Sequence, residues 1–123
     1  MNTNPVVWFE IYVNEMSRAK AFYEQMLAQQ LLPLSWEGVE MLCFPMRENG
    51  TGAAGALLKM EGCPSGGNGT VVYFSCEDCA VEVARVKRLG GHVVREKFSI
   101  GEQGFIALIV DTEGNMIGLH SMK

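Results

Sequence analysis

The sequence predicts an α+β fold built from two similar halves, each a βαβββ module, on three observations. First, a strand running into a helix occurs twice. Trp8-Phe9-Glu10-Ile11-Tyr12-Val13-Asn14-Glu15-Met16-Ser17-Arg18-Ala19 is followed by Val71-Val72-Tyr73-Phe74-Ser75-Cys76-Glu77-Asp78-Cys79-Ala80-Val81-Glu82, 63 residues later counted from Trp8 to Val71. Second, the same offset carries Thr51-Gly52-Ala53-Ala54-Gly55-Ala56-Leu57 onto Gly114-Asn115-Met116-Ile117-Gly118-Leu119-His120. Third, the one stretch rich in Gly, Pro and Ser, Gly62-Cys63-Pro64-Ser65-Gly66-Gly67-Asn68-Gly69, falls at the midpoint, where a two-module chain needs its joint. The expectation is a single domain over residues 1–123, with module one at 5–61, a linker at 62–69 and module two at 70–123.

Each element follows from local pattern. Val6 to Val13 is β-branched, apolar and aromatic, interrupted by Glu10, and reads as a strand. Asn14-Glu15-Met16-Ser17 offers polar side chains to the first free amides of a helix. Ala19, Phe22, Tyr23, Met26 and Leu27 then recur at helical spacing, one apolar stripe to lay on a sheet. Leu31 to Trp36 is a short strand carrying Pro33, which cannot donate to a ladder and so marks an edge. Glu37-Gly38 turns the chain into Val39 to Pro45, Arg47 to Gly52 is a loop, and Ala54 to Met60 is a strand of small residues.

The second module repeats the order. Thr70 to Cys76 is a strand, and Asp78 can cap a helix to Leu89 with Val83, Val86 and Leu89 inward. Gly90-Gly91 ends that helix. His92 to Lys97, Gly104 to Val110 and Met116 to Ser121 are strands, the last two joined by a tight Asp111-Thr112-Glu113-Gly114-Asn115 turn. Strands in blocks with one helix each place the helices on one face of each sheet.

Composition narrows the function. The chain has 123 residues, enough to bury a working core. A net charge of −4 argues against a nucleic-acid partner, which wants a basic surface. The run Arg85-Val86-Lys87-Arg88 reads as the solvated face of a helix. No apolar stretch approaches the roughly 20 residues of a membrane span. Met1-Asn2-Thr3-Asn4-Pro5 has neither the basic nor the apolar region of a secretory signal, so a cytoplasmic setting with reduced thiols is expected. Cys76-Glu77-Asp78-Cys79 has CxxC spacing, but His92 and His120 stand in no ligand spacing with it, and the two acidic residues between the sulfurs oppose a thiolate. Cys76 and Cys79 therefore read as two semi-buried structural cysteines.

The pattern resembles the vicinal oxygen chelate superfamily of glyoxalase I, bleomycin-resistance proteins and extradiol dioxygenases, and most of all its glyoxalase-like subgroup related to lactoylglutathione lyase. The resembling residues are Phe9-Glu10-Ile11-Tyr12-Val13 with Arg18-Ala19-Lys20-Ala21-Phe22-Tyr23, then Tyr73-Phe74-Ser75-Cys76-Glu77-Asp78 with Val83 to Gly91, and Asp111-Thr112-Glu113-Gly114-Asn115-Met116-Ile117-Gly118-Leu119. The resemblance implies eight strands curling into an open, cupped sheet. It also implies a homodimer, with the cup near the subunit interface. Enzymes of the superfamily carry a His, Gln or Glu metal ligand on the first and last strand of each module, facing into the cup. Counting from Phe22-Tyr23, from the Asp-x-x-Gly turn and along the 63-residue offset puts these positions at Trp8, Gly55, Val71 and Gly118. None has a side chain that can ligate a divalent ion.

Strand alternation then selects the other inward residues. If Trp8, Val71 and Gly118 face the cup, so do Glu10, Tyr12, Tyr73, Ser75 and His120. Glu10 and His120 are the candidate polar and catalytic groups. Trp8, Tyr12, Tyr73 and Ser75 are the candidate ligand-binding wall, with Trp36 a further stacking surface. No metal ligand is assigned and no cofactor is expected. The leading expectation is a protein that binds a small organic molecule in its cup; an acidic chain with aromatic walls suits a cationic ligand. Two alternatives stand beside it. One is a metal-free acid/base enzyme using Glu10 and His120. The other is a metal-dependent lyase or dioxygenase with a displaced site, for which Leu57 and Tyr73, the repeat counterparts of His120 and Glu10, supply no good donor.

Overall fold

The computed structural model describes residues 4–36 and 39–123. The turn expected at Glu37-Gly38 lies outside the described residues, as do the first three residues. Among the described residues, eight strands and two α-helices follow in the order β1 (Trp8–Tyr12), α1 (Met16–Leu27), β2 (Leu32–Trp36), β3 (Val39–Cys43), β4 (Ala54–Lys59), β5 (Val72–Ser75), α2 (Cys79–Val86), β6 (His92–Ser99), β7 (Phe105–Val110) and β8 (Met116–Ser121). This is βαβββ twice. The strands form two four-stranded sheets, ordered β1-β4-β3-β2 and β5-β8-β7-β6, and neither is closed. In each, the first and last strands of the module run parallel and the other pairs antiparallel. The edge position expected for the Pro33 strand is the one β2 occupies.

One face of each sheet is packed by the helices. Met16, Ala19, Phe22, Tyr23 and Met26 of α1 are buried, as are Cys79, Val83 and Val86 of α2. They join Ile11, Leu57, Ala107, Ile109, Ile117 and Leu119 of the sheets in a single apolar cluster drawn from both modules. At its centre the rings of Phe9, Tyr23 and Phe44 from module one meet Phe74 from module two. Phe9 and Phe74 stand edge to face at 5.9 Å, and Phe44 and Phe74 are tilted to one another at 5.1 Å. Aromatic pairs at such separations contribute about 0.5–1.5 kcal/mol beyond the area they bury.

The helix ends differ from one another. Asp78 caps α2 as expected, its side chain accepting from the Ala80 amide at 3.1 Å. After α2 the chain tightens into a 3₁₀ turn at Lys87–Leu89, closed by Gly90 in the left-handed region at φ 93°. The polar residues that open α1 make no side-chain cap. Its cap comes from the other module: Glu113 Oε1 accepts from the amides of Asn14 and Glu15, at 2.9 and 2.8 Å.

Glu113 belongs to the Asp111–Asn115 turn, and that turn does more than reverse the chain. Glu113 also takes the Arg18 guanidinium, Asp111 takes the Tyr23 hydroxyl at 2.5 Å, and Asn115 Nδ2 donates to the Tyr12 carbonyl at 2.9 Å. The linker is tied to the same turn. Ser65 Oγ donates to the Glu113 carbonyl, and the Gly66 amide donates to Asn115 Oδ1, both at 2.6 Å. Asp111 and Glu113 are buried polar residues, and their bonds answer the cost of putting carboxylates inside.

Candidate functional site

The face of each sheet away from the helices is where alternation places the candidate residues. On β1, Phe9 and Ile11 go to the helix side, so Trp8, Glu10 and Tyr12 go to the other. On β5, Phe74 goes to the helix side and Tyr73 and Ser75 to the other. On β8, Ile117 and Leu119 go to the helix side and Gly118 and His120 to the other. All six candidate residues therefore share the helix-free side of the fold, but on two different sheets.

Trp8, Glu10 and Tyr12 form one hydrogen-bonded group. Trp8 Nε1 donates to Glu10 Oε2 at 3.1 Å, and the Tyr12 hydroxyl donates to Glu10 Oε1 at 2.7 Å. The bond to Glu10, then burial, then the charge of Glu10 push the Tyr12 phenol up to about 12. Residues two apart on a strand lie side by side on one face, so three consecutive same-face positions assemble this group with no help from the rest of the fold. Beneath it, Met41, Cys43, Ala56 and Leu58 fill the sheet, with Tyr12 and Val39 packed against them.

Tyr73, Ser75 and His120 stand on the second sheet. Ser75 pairs in register with His120, and Tyr73 with Gly118. Tyr73 is about half exposed, and its ring lies where a Cβ on Gly118 would stand. His120 Nε2 donates to the Gln103 carbonyl at 2.7 Å, since a carbonyl oxygen can only accept. Glu10 and His120 thus belong to separate sheets, and each is held by neighbours of its own. The side chain of Trp36 is outside the described part of the structure.

The four counted ligand positions need one correction. Glu10 pairs with Ala56, whereas its repeat counterpart Tyr73 pairs with Gly118. The counterpart of Gly118 is therefore Ala56, and the repeat is one residue shorter across β4 and β8 than across β1 and β5. A one-residue slip on a strand changes the face. Gly55 accordingly looks toward the helix side, where a Cβ would run into the Phe9 ring. The position facing the cup on β4 carries Ala56, which also has no donor. Among the described residues, no three His, Cys, Asp or Glu side chains come together in a way that could hold a metal ion.

Of the CxxC pair, Cys79 joins the buried core and Cys76 is partly buried against it. Cys79 is fully buried, and its amide donates to Ser121 Oγ. Burial, with the carboxylate of Glu82 alongside, pushes the Cys76 thiol up to about 12, so it is no thiolate near neutral pH. The four cysteines are unpaired.

A pocket opens where β1 meets the linker. A cavity of about 350 Å³ is bounded by Glu10 and Tyr12 on one wall and by Gly66, Asn68 and Thr70 of the linker region on the other, with Met116 at its base. Sequence reading found Glu10 and Tyr12 but not this opposite wall. Gly66-Gly67-Asn68-Gly69 was legible only as a joint, since the bonds that fold it onto β8 come from Asn115 and Met116, 49 and 48 residues away.

No protein-family model matches the chain, and no curated protein matches it in sequence. Solved structures do match in fold. TnmS3, an antibiotic binding protein from Streptomyces sp. CB03234, superposes with a TM-score of 0.71 at 23% identity, covering 100% of this chain and 99% of its own. A glyoxalase/bleomycin resistance protein from Albidiferax ferrireducens gives 0.68 at 20% identity, over 94% and 98% of the two chains. A glyoxalase-related enzyme from Fulvimarina pelagi gives 0.70 at 13% identity, over 97% and 88%. The fold is that of the glyoxalase/bleomycin resistance/dioxygenase structures, as the sequence resemblance implies. No helix among the described residues is long and apolar enough to cross a membrane.

Proposed function

We propose that this chain is a metal-free binding protein of the vicinal oxygen chelate type, which takes a small organic molecule on the helix-free side of its sheets. One observation carries the reading: the cup-facing positions at which metal-dependent relatives would place ligands hold Trp8, Ala56, Val71 and Gly118. A divalent ion at such a site needs nitrogen or oxygen donors, and none of these side chains has one to give in a ligand role. The residues present do not fit a metal. What that face offers instead is an aromatic-flanked carboxylate beside a cavity. A neighbour in fold is described as an antibiotic binding protein, which accords with sequestration of a small molecule without chemistry.

An acid/base reaction shared by Glu10 and His120 is less well supported, because the two groups stand on separate sheets and no hydrogen bond between them is seen among the described residues. The apolar side chains left exposed on the helix-free faces, Leu32, Leu34 and Tyr73 among them, favour a homodimer that covers part of this surface. The four unpaired thiols suit a reducing, cytoplasmic setting. The test is native mass spectrometry with metal analysis on gently purified protein. A bound organic mass with substoichiometric metal is expected; a stoichiometric divalent ion would overturn the reading.

A further inference from the structure

The hydrogen bonds around Glu10 run in one direction, and that direction selects a ligand. The indole has one N–H and the phenol one O–H, and both are spent on Glu10. The carboxylate has about four lone-pair sites, so two remain open after those bonds. The Tyr12 oxygen, having donated its only proton, can otherwise only accept. The charged wall of the cavity therefore offers acceptors and a negative charge, and no free side-chain donor.

The opposite wall is held in place. Gly66 donates its amide to Asn115 Oδ1, Asn68 Oδ1 accepts from the Met116 amide at 3.1 Å, and Asn115 Nδ2 holds the Tyr12 carbonyl. Asn115 thus fixes the linker and β1 at once, so the two walls keep a set separation. Pro64, Val72 and Met116 give the cavity an apolar part beside the carboxylate. Its volume of about 350 Å³ is at the low end of the roughly 300–1,000 Å³ typical of small-molecule sites, which limits the occupant to a body of about one ring.

We propose that this cavity between β1 and the linker takes a small organic cation, a primary ammonium on an apolar or aromatic body, with the ammonium on Glu10 between Trp8 and Tyr12. The ammonium brings only donors, which match the open lone pairs of Glu10, and its charge meets that of the carboxylate. A carboxylate ligand would face like charge, and a neutral alcohol would lose the charge-assisted bond. The proposal rests on the small-molecule reading above and names the chemical class for it.

The test titrates isotope-labelled protein with three probes that share a ring: 2-phenylethylammonium, 2-phenylethanol and 3-phenylpropionate. The ammonium is expected to move the amide resonances of Gly66, Gly67 and Thr70 and the Trp8 indole N–H, and to bind at least ten-fold tighter than the other two. Glu10→Gln should remove that preference while keeping the folded amide spectrum. Should that variant fail to fold, Tyr12→Phe, which keeps both the carboxylate and the ring, must retain the preference. Equal binding of ammonium and alcohol, or an undiminished preference in Glu10→Gln, overturns the proposal. So does binding of phenylpropionate alone, with shifts around Tyr73 and His120, although that result leaves the general small-molecule reading standing. Failure of all three probes to bind overturns the cation assignment, and the native mass then decides the wider reading separately.

Discussion

Arg18 and Glu113, 95 residues apart, close a two-point ion pair across the module boundary, with Nε to Oε2 at 2.6 Å and a second guanidinium nitrogen to Oε1 at 3.0 Å. Burial alone would push the Glu113 carboxyl up. The bonds from Arg18, the Glu15 amide, the Thr112 hydroxyl and the Asn14 amide outweigh it and hold the group at about 2. Because the folded value lies below the ordinary 4.5, the pair stabilises the fold fully above pH 4.5, and the contribution is lost as pH falls from there toward 2. A shift of that size corresponds to about 3 kcal/mol, and nearer about 2 kcal/mol once water around the half-exposed Arg18 is allowed for. Thermal melts of wild type and Glu113→Gln should therefore differ by about 2 kcal/mol at pH 7, and the gap should shrink steadily from pH 4.5 down to about 2. A gap that stays constant over this range would show that Glu113 is not the titrating group.

Gly55 and Gly118 offer a sharper check on how the two modules correspond. A Cβ at Gly55 meets the Phe9 ring, which is wedged against Phe44 and Phe74 and has nowhere to go. A Cβ at Gly118 meets the Tyr73 ring, which is about half exposed and can swing outward. Gly55→Ala should cost about 1–3 kcal/mol, the usual range for overpacking a core, and Gly118→Ala clearly less. Chemical denaturation of the two variants decides it, and equal losses would mean that the two glycines share an environment after all.

The same pair marks what the sequence could and could not reveal. Strand and helix order, the edge position of β2 and the Asp78 cap all follow from local pattern, because periodicity, Pro33 and a capping aspartate act over a few residues. The side of the sheet on which Glu10, Tyr12, Tyr73 and His120 lie was equally legible from alternation. Gly55 was not, because an offset measured at β1 and β5 carries no record of a loop one residue shorter elsewhere, and one residue is enough to change the face. The role of Asp111, Glu113 and Asn115 was hidden for a different reason. Those residues suit a tight turn whatever else they do, and their partners Tyr23, Arg18 and Tyr12 lie in the other module. A buried tyrosine in an apolar helical stripe was the one available hint, since its hydroxyl must find an acceptor somewhere.

Helix α1 ends on strain that a substitution can relieve. Ala28 closes it in the left-handed region at φ 54°, ψ 44°, where a Cβ crowds the following carbonyl. Glycine accepts that geometry without the crowding but gives up more freedom on folding. The two effects leave Ala28→Gly more stable by about 0.5–1 kcal/mol. The rise in melting temperature should come without change in ligand binding, since Ala28 is on the helix side; a lower melting temperature would mean that the entropy of glycine dominates at this cap.

The Tyr12–Glu10 bond can be read directly from the phenol. Folding raises Tyr12 from its ordinary value of 10 to about 12, chiefly through the hydrogen bond to Glu10 and then through burial. A raised folded value means that the bond stabilises the protein fully below pH 10 and that the contribution disappears as pH climbs from about 10 to about 12. Replacing the carboxylate by an amide in Glu10→Gln keeps an acceptor but removes the charge, so Tyr12 should ionise at lower pH, by about a unit. The chain has two other tyrosines, so the Tyr12 contribution is isolated by subtracting the phenolate absorbance of Tyr12→Phe from that of wild type and of Glu10→Gln. The midpoint of the difference curve should fall in Glu10→Gln. If it does not move, the phenol is held up by burial alone and the donor from Tyr12 does not lie on Glu10 in solution, which would also free a donor in the wall of the cavity and weaken the case for a cation there.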